Sequence, residues 1–170
     1  MRRMVTLEDK GDFGDASLAL IVSVIAYRDE SAGSRILLQR RYVEREYWGD
    51  FELPQGHMRR GETMFDCARR EFAEETGMRV VVASKEQGRR VGAICIESSD
   101  PMLVVKVTGS MNYLAVCYAG TVEGGSLGAY DPSASGHVWV SASELREILD
   151  GGSVFPLNRP MLERWIERGC

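Results

Sequence analysis

Residues 17–28, SLALIVSVIAYR, form an apolar and β-branched run interrupted only by Ser23. Its length and composition predict a central strand buried on both faces. The turn chemistry of DESAGS separates it from RILLQRR (35–41), a second strand that can pair with the first as a hairpin. EREYWGDFELPQG is predicted as a loop with a short extended piece at 51–53, since Pro54 disfavours helix before it. The clearest helical pattern covers 63–76 and stops at Gly77, a residue suited to the position after a helix. Strand-like stretches follow at 79–83, 91–97, 103–107 and 113–122, with SSDP and TGSMN as turns between them. EGGSLGAYDPSASG (123–136) reads as a flexible loop, either a connector or a substrate-facing segment. HVWV (137–140) predicts a last short strand, and SASE (141–144) a capping box opening a helix through Leu149. A final helix is predicted over 160–168 with Leu162, Trp165 and Ile166 inward. Strands and helices are mixed, with the strongest helix mid-chain, which predicts an α/β architecture with helices on both faces of a mixed sheet.

The 170 residues suit a single domain over 1–170, with 1–15 as a flexible or edge segment. No signal peptide is expected, because the opening 13 residues lack an apolar core. The longest apolar run is too short to span a bilayer. A net charge of −4 gives no footprint for DNA or an anionic membrane. Arginine supplies 18 of the 21 basic residues, and its planar fork suits phosphate, although scattered pairs such as Arg40–Arg41 also suit a solvated surface. Cys67, Cys95, Cys117 and Cys170 have no zinc-site spacing, so a cytoplasmic protein with reduced thiols is expected.

The segment GHMRRGETMFDCARREFAEETGM (56–78) changes this picture. On a helical wheel with Glu71 at zero, Glu74 and Glu75 fall about 60° to one side and about 40° to the other. Phe65, Ala68 and Phe72 form an adjoining apolar stripe that would dock the helix. The three glutamates are therefore expected at the edge of the buried surface, neither free in solvent nor fully buried. Like charges at this spacing repel, so a compensating cation is called for: a hard divalent ion, with Arg70 orienting the carboxylates. A solvated acidic face is the other reading of composition alone.

The spacing itself resembles the Nudix box, G-x5-E-x7-R-E-U-x-E-E-x-G-U with U bulky and apolar. Gly56, Glu62, Arg70, Glu71, Glu74, Glu75 and Gly77 fill the defined positions, and Phe72 and Met78 the apolar ones. The box covers 23 of 170 residues, and RILLQRR and FELP also look like parts of this family. The resemblance implies a Nudix-type α/β/α sandwich that hydrolyses a nucleoside diphosphate linked to another group. It assigns Mg²⁺ (or Mn²⁺) to Glu71, Glu74 and Glu75, with Glu62 and Gly56 contributing and Arg70 holding the carboxylates. The general base varies in the family; Glu123 and Asp131 are later-loop candidates.

Gln55 before the box glycine and His57 after it resemble members acting on dinucleoside polyphosphates or 5′-triphosphate ends. The ADP-ribose and NADH marks have no counterpart, but neither does the tyrosine expected about 17 residues past the box. ADP-ribose, nucleotide-sugar or nucleoside triphosphate hydrolysis is the alternative, and a nucleotide sensor without turnover a remote one. Substrate-binding candidates are Arg40, Gln55, His57, Tyr47 and Trp48, with Tyr42, Tyr113 and Trp139 as further aromatics; Trp139 reads better as core. The expected partner is a small nucleotide, and family members are often homodimers.

Overall fold

The computed structural model describes residues 18–31, 33–85, 87–91, 94–108, 112–128 and 134–169. The predicted N-terminal segment 1–15 and the base candidate Asp131 lie outside these residues. The central strand is β1 (Leu18–Glu30), and its side chains alternate between two cores. Ile21 and Ile25 enter one; Val22, Val24 and Ala26 enter the other. That double burial is why the run is apolar at almost every position.

β2 (Gly33–Arg41) returns antiparallel to β1, as the hairpin reading expects. The loop after it carries the expected extended piece at 51–53 as β3 (Phe51–Glu52) and adds elements that were not expected. These are a 3-10 turn at Arg45–Tyr47 and a second short strand, β4 (Gln55–His57). β3 and β4 pair with β2 and β1 respectively. Helix α1 (Met64–Thr76) follows, then β5 (Met78–Val82). The stretch predicted as one strand over 91–97 is instead split between β6 (Gln87–Val91) and β7 (Ile94–Ser98), which pair antiparallel as a separate two-stranded sheet. β8 (Leu103–Val107) and the long β9 (Asn112–Gly125) complete this part. The predicted loop 123–136 is shorter than expected, because β9 extends to Gly125 and β10 (Ala134–Ser141) begins before His137. α2 (Ala142–Asp150) and α3 (Arg159–Glu167) close the chain.

Among the described residues the main sheet has eight strands, ordered β10-β2-β1-β9-β5 along its length. The β1–β9 pair is parallel and the other pairs are antiparallel, so the sheet is mixed. Phe65, Cys67, Ala68 and Phe72 of α1 pack on one face. Leu145 and Leu149 of α2 and Met161, Leu162 and Trp165 of α3 pack on the other, with Ile166 partly buried beside them. This is the three-layer α/β/α arrangement. Phe65 and Phe72 are almost wholly buried, and truncating either to alanine would cost about 3–5 kcal/mol. Trp139 is half-buried against the α1-side core, with Arg28 4.2 Å over its ring.

Candidate active site

Two local devices fix α1. Thr63 caps its start: the hydroxyl accepts from Asp66 N at 3.1 Å and the Asp66 carboxylate accepts from Thr63 N at 3.3 Å. Gly77 ends it in the left-handed region at φ 76°. The preceding strand β4 is anchored to the centre of the molecule, with Gln55, Gly56 and His57 opposite Ser23, Val22 and Ile21. The helix and β4 therefore meet as two rigid edges.

Arg70 organises the acidic residues between those edges. Its guanidinium donates to Glu62 at 2.5 and 2.9 Å, to Glu71 at 2.5 Å and to Glu74 at 3.1 Å. It also donates to the His57 carbonyl at 3.1 Å. One cation thus joins three acids and the backbone of β4, and the hydrogen-bonded guanidinium holds the Glu62 carboxyl down at about 2. Arg59 adds a contact to Glu74 at 3.2 Å. Gly56 must be a glycine for a steric reason: a Cβ there would lie 2.1 Å from Glu71 Cδ and 2.3 Å from both carboxylate oxygens. The Glu71 carboxylate is seated on the Gly56 backbone.

Glu75 departs from the expectation of an edge position, because it is buried at 7% exposure. The wheel gives its angle but not its depth, and β2 and β4 close over it. Its Oε2 accepts from Gln55 N at 3.0 Å and from Gln39 Nε2 at 2.8 Å. Burial pushes its carboxyl up to about 8 against these two hydrogen bonds. Gln39 Nε2 also reaches Glu52 at 3.3 Å, and Glu52 is paired with Arg41 at 2.7 Å. Burial raises Glu52 as well, with Arg41 opposing the shift. Arg41 in turn is shared with Glu44. Gln39 and Glu52 carry no role in the sequence reading. The signal available for Gln39 was a polar residue closing the apolar stretch ILL.

The remaining candidates divide. His57 is exposed, with its ring 6.3 Å from that of Tyr113. The Gln55 side chain turns away from Glu75 and accepts from Ser23 at 2.9 Å and Asn158 at 2.8 Å. Arg40 lies on the α2 side of the sheet, stacked over Phe51 and donating to Gly49 O at 2.6 Å. It lines an open groove of about 430 Å³ with Phe51, Val138, Glu147 and Ile148. Tyr47 packs on Phe155, and Trp48, 62% exposed, packs on Tyr42. Among the described residues no hydrogen bond or ion pair joins Arg40, Tyr47 or Trp48 to the α1 carboxylates.

Among the described residues no three His, Cys, Asp or Glu side chains converge as a ready-made cage for a metal ion. The donor set nevertheless fits a hard divalent cation. Glu71, Glu74 and Glu75 are all oxygen donors on one helical turn. Among the described residues the hydrogen bonds to the buried Glu75 come from neutral donors, so a divalent cation is what would favour its ionised form.

The NUDIX domain family model matches residues 18–157, which contain this entire constellation. The chain belongs to the NUDIX family. It is a Nudix hydrolase, and the family's reaction is pyrophosphate hydrolysis of nucleoside diphosphate derivatives. Its fold is similar to that of a NUDIX hydrolase from Nitrosomonas europaea at 19% identity, covering 89% of this chain and 90% of that chain with a TM-score of 0.66. It is also similar to the NUDIX domain of Shewanella oneidensis NrtR complexed with ADP ribose, at 15% identity, 89% and 88% coverage and a TM-score of 0.66. A third similar structure is a C. elegans Ap4A hydrolase, at 12% identity, 88% and 96% coverage and a TM-score of 0.57. At these identities the likeness is one of fold. No curated protein matches the sequence. Among the described residues no helix is long and apolar enough to cross a membrane.

Proposed function

We propose that this Nudix hydrolase cleaves, with Mg²⁺ or Mn²⁺, a phosphoanhydride bond in a dinucleoside polyphosphate or a 5′-capped or 5′-triphosphate nucleotide. The observation that carries the metal-dependent part is the seating of two carboxylates on consecutive residues of β4, Glu71 at Gly56 and Glu75 at Gln55. Glu71, Glu74 and Glu75 would hold the ion, with Glu62 and the backbone at Gly56 contributing. When bound, such an ion neutralises phosphate oxygens and lowers the pKa of a coordinated water.

The chain's own residues supply orientation and proton transfer. Arg70 keeps Glu62, Glu71 and Glu74 in one arrangement, so their oxygens need not reorganise as phosphate charge develops. A carboxylate takes the proton from the attacking water; Glu123, exposed on β9, is the described candidate for a base outside α1. His57, beside Gly56 and open to solvent, would hydrogen-bond a phosphate. Tyr47 and Trp48 would act further along the substrate, at its nucleoside end, and Gln55 through its backbone contact to Glu75, whereas Arg40, on the α2 side of the sheet, faces away from the α1 carboxylates.

Gln55 and His57 support the lean to dinucleoside polyphosphates. A cytoplasmic location and a homodimer accompany the reading. The test is product release over a panel of Ap4A, ADP-ribose, NADH, nucleotide sugars, nucleoside triphosphates and 5′-triphosphorylated RNA, with Mg²⁺ or Mn²⁺. The expected result is highest kcat/KM on Ap4A or the RNA end. A clear preference for ADP-ribose would overturn the substrate assignment and leave the chemistry standing.

A further inference from the structure

Strand β10 carries a bulge between Ser135 and Val138, opposite Arg40 and Leu38 of β2. The bulge sets His137 across from Gln39, and both residues reach the last turn of α1. The His137 ring lies beside the backbone of Glu75, and the Gln39 amide donates to its carboxylate at 2.8 Å. Gln55 N donates to the same oxygen, Oε2. Among the described residues Oε1 accepts no hydrogen bond, so its lone pairs stay available.

Among the described residues two buried side-chain atoms at this bulge have no hydrogen-bond partner: Gln39 Oε1 and His137 Nε2. Turning the Gln39 amide over would not help, because its carbonyl would then face the carboxylates of Glu75 and Glu52. The amide is oriented by the two acids at the expense of its own oxygen. A purely space-filling role is served better by an apolar side chain, as at the neighbouring Ile36, Leu37 and Leu38. The charge of Glu52 is met by Arg41 at Oε2, at 2.7 Å, and its longer contact to the amide, at 3.3 Å, is to Oε1.

We propose that Gln39 is a positioning residue of the reaction: it engages Glu75 Oε2 so that Oε1 is presented to the divalent ion. This rests on the metal reading of Glu71, Glu74 and Glu75. The test is Mn²⁺ titration of the substrate-free protein, by calorimetry or electron paramagnetic resonance, for wild type, Gln39→Met and Glu75→Gln. It is paired with kcat and KM on the best substrate and with thermal melting.

Methionine matches glutamine in length but lacks the donor. Gln39→Met is expected to weaken Mn²⁺ binding by about 10-fold or more and to lower kcat by about 10–100-fold. KM and melting temperature are expected to stay near wild type, which a merely structural residue would not produce. Wild-type Mn²⁺ affinity in Gln39→Met, with clear loss in Glu75→Gln, overturns the proposal and spares the metal reading. Unchanged affinity in Glu75→Gln removes the metal reading itself. Should Gln39→Met not fold, a crystal structure of the wild type with Mn²⁺ decides. An ion on Glu75 Oε1 with Gln39 still on Oε2 supports the assignment, and an ion on Oε2 overturns it.

Discussion

Replacing Gly56 by alanine tests the seat of Glu71 with a single methyl group. Gly56 is not among the left-handed glycines, so alanine keeps the backbone of β4 without strain. The new Cβ would lie 2.1 Å from Glu71 Cδ. To reach a carbon–carbon separation of about 3.5 Å, the carboxylate must retreat by more than about 1 Å. That movement breaks the 2.5 Å bond to Arg70, made between side chains only 15–16% exposed. Losing such a charge-assisted bond costs about 1.5–3 kcal/mol. The smaller unfolded-state entropy of alanine returns about 0.4–1 kcal/mol. A net loss of about 1–2 kcal/mol lowers the melting temperature by roughly 2–8 °C for a chain of this length, so the fold persists. Catalysis is far more sensitive, because a misplacement of about 1 Å can cost about 100-fold. Release of nucleotide product from the best substrate with Mg²⁺, alongside thermal melting and far-UV circular dichroism, measures both effects. A folded Gly56→Ala protein with kcat within about twofold of wild type would refute the placement of Glu71.

Arg70→Lys keeps the charge but cannot span Glu62, Glu71, Glu74 and the His57 carbonyl with one planar fork. Its kcat is expected to fall by about 10–100-fold, and a wild-type rate would contradict the organising role. Thr63→Ala and Ser141→Ala each remove one helix cap. Each is expected to cost about 1 kcal/mol, read as a melting-temperature drop of about 2–4 °C. Burial pushes the thiols of Cys67 and Cys117 up to about 12. Both are expected to resist Ellman's reagent in the native protein at pH 8 and to react after denaturation. The same shifts make stability fall above about pH 8.5, where the unfolded thiols ionise and the folded ones stay protonated. Replacing both by serine should flatten that alkaline slope in pH-dependent melts.

Helices α1 and α2 were legible because their signals are local: Thr63 with Asp66, Ser141 with Glu144, and Gly77 at the left-handed stop. β1 was legible because burial on both faces leaves a continuous apolar run. β4 was not, since a three-residue strand is defined by its pairing with β1, more than thirty positions away in the chain. The separation of β6 from β7 likewise depends on how the two stretches pair with each other. The box residues could be found by spacing, but the depth of Glu75 depends on β2 crossing above it. Gln39 shows the same limit. Its role follows from which face of β2 meets α1, and that face is set by the register of β2 against β1 and β10. Arg40, one residue on, consequently points to the opposite side.

The central claim is that the acidic edge of α1 binds a divalent ion against a phosphate chain. A crystal structure with Mn²⁺ and a non-hydrolysable Ap4A analogue tests it most directly, with anomalous scattering locating the metal. The account predicts manganese within coordination distance of Glu71, Glu74 and Glu75 oxygens, and the polyphosphate beside Gly56 and His57. Manganese absent from that edge, with the analogue bound at another face of the sheet, would contradict it.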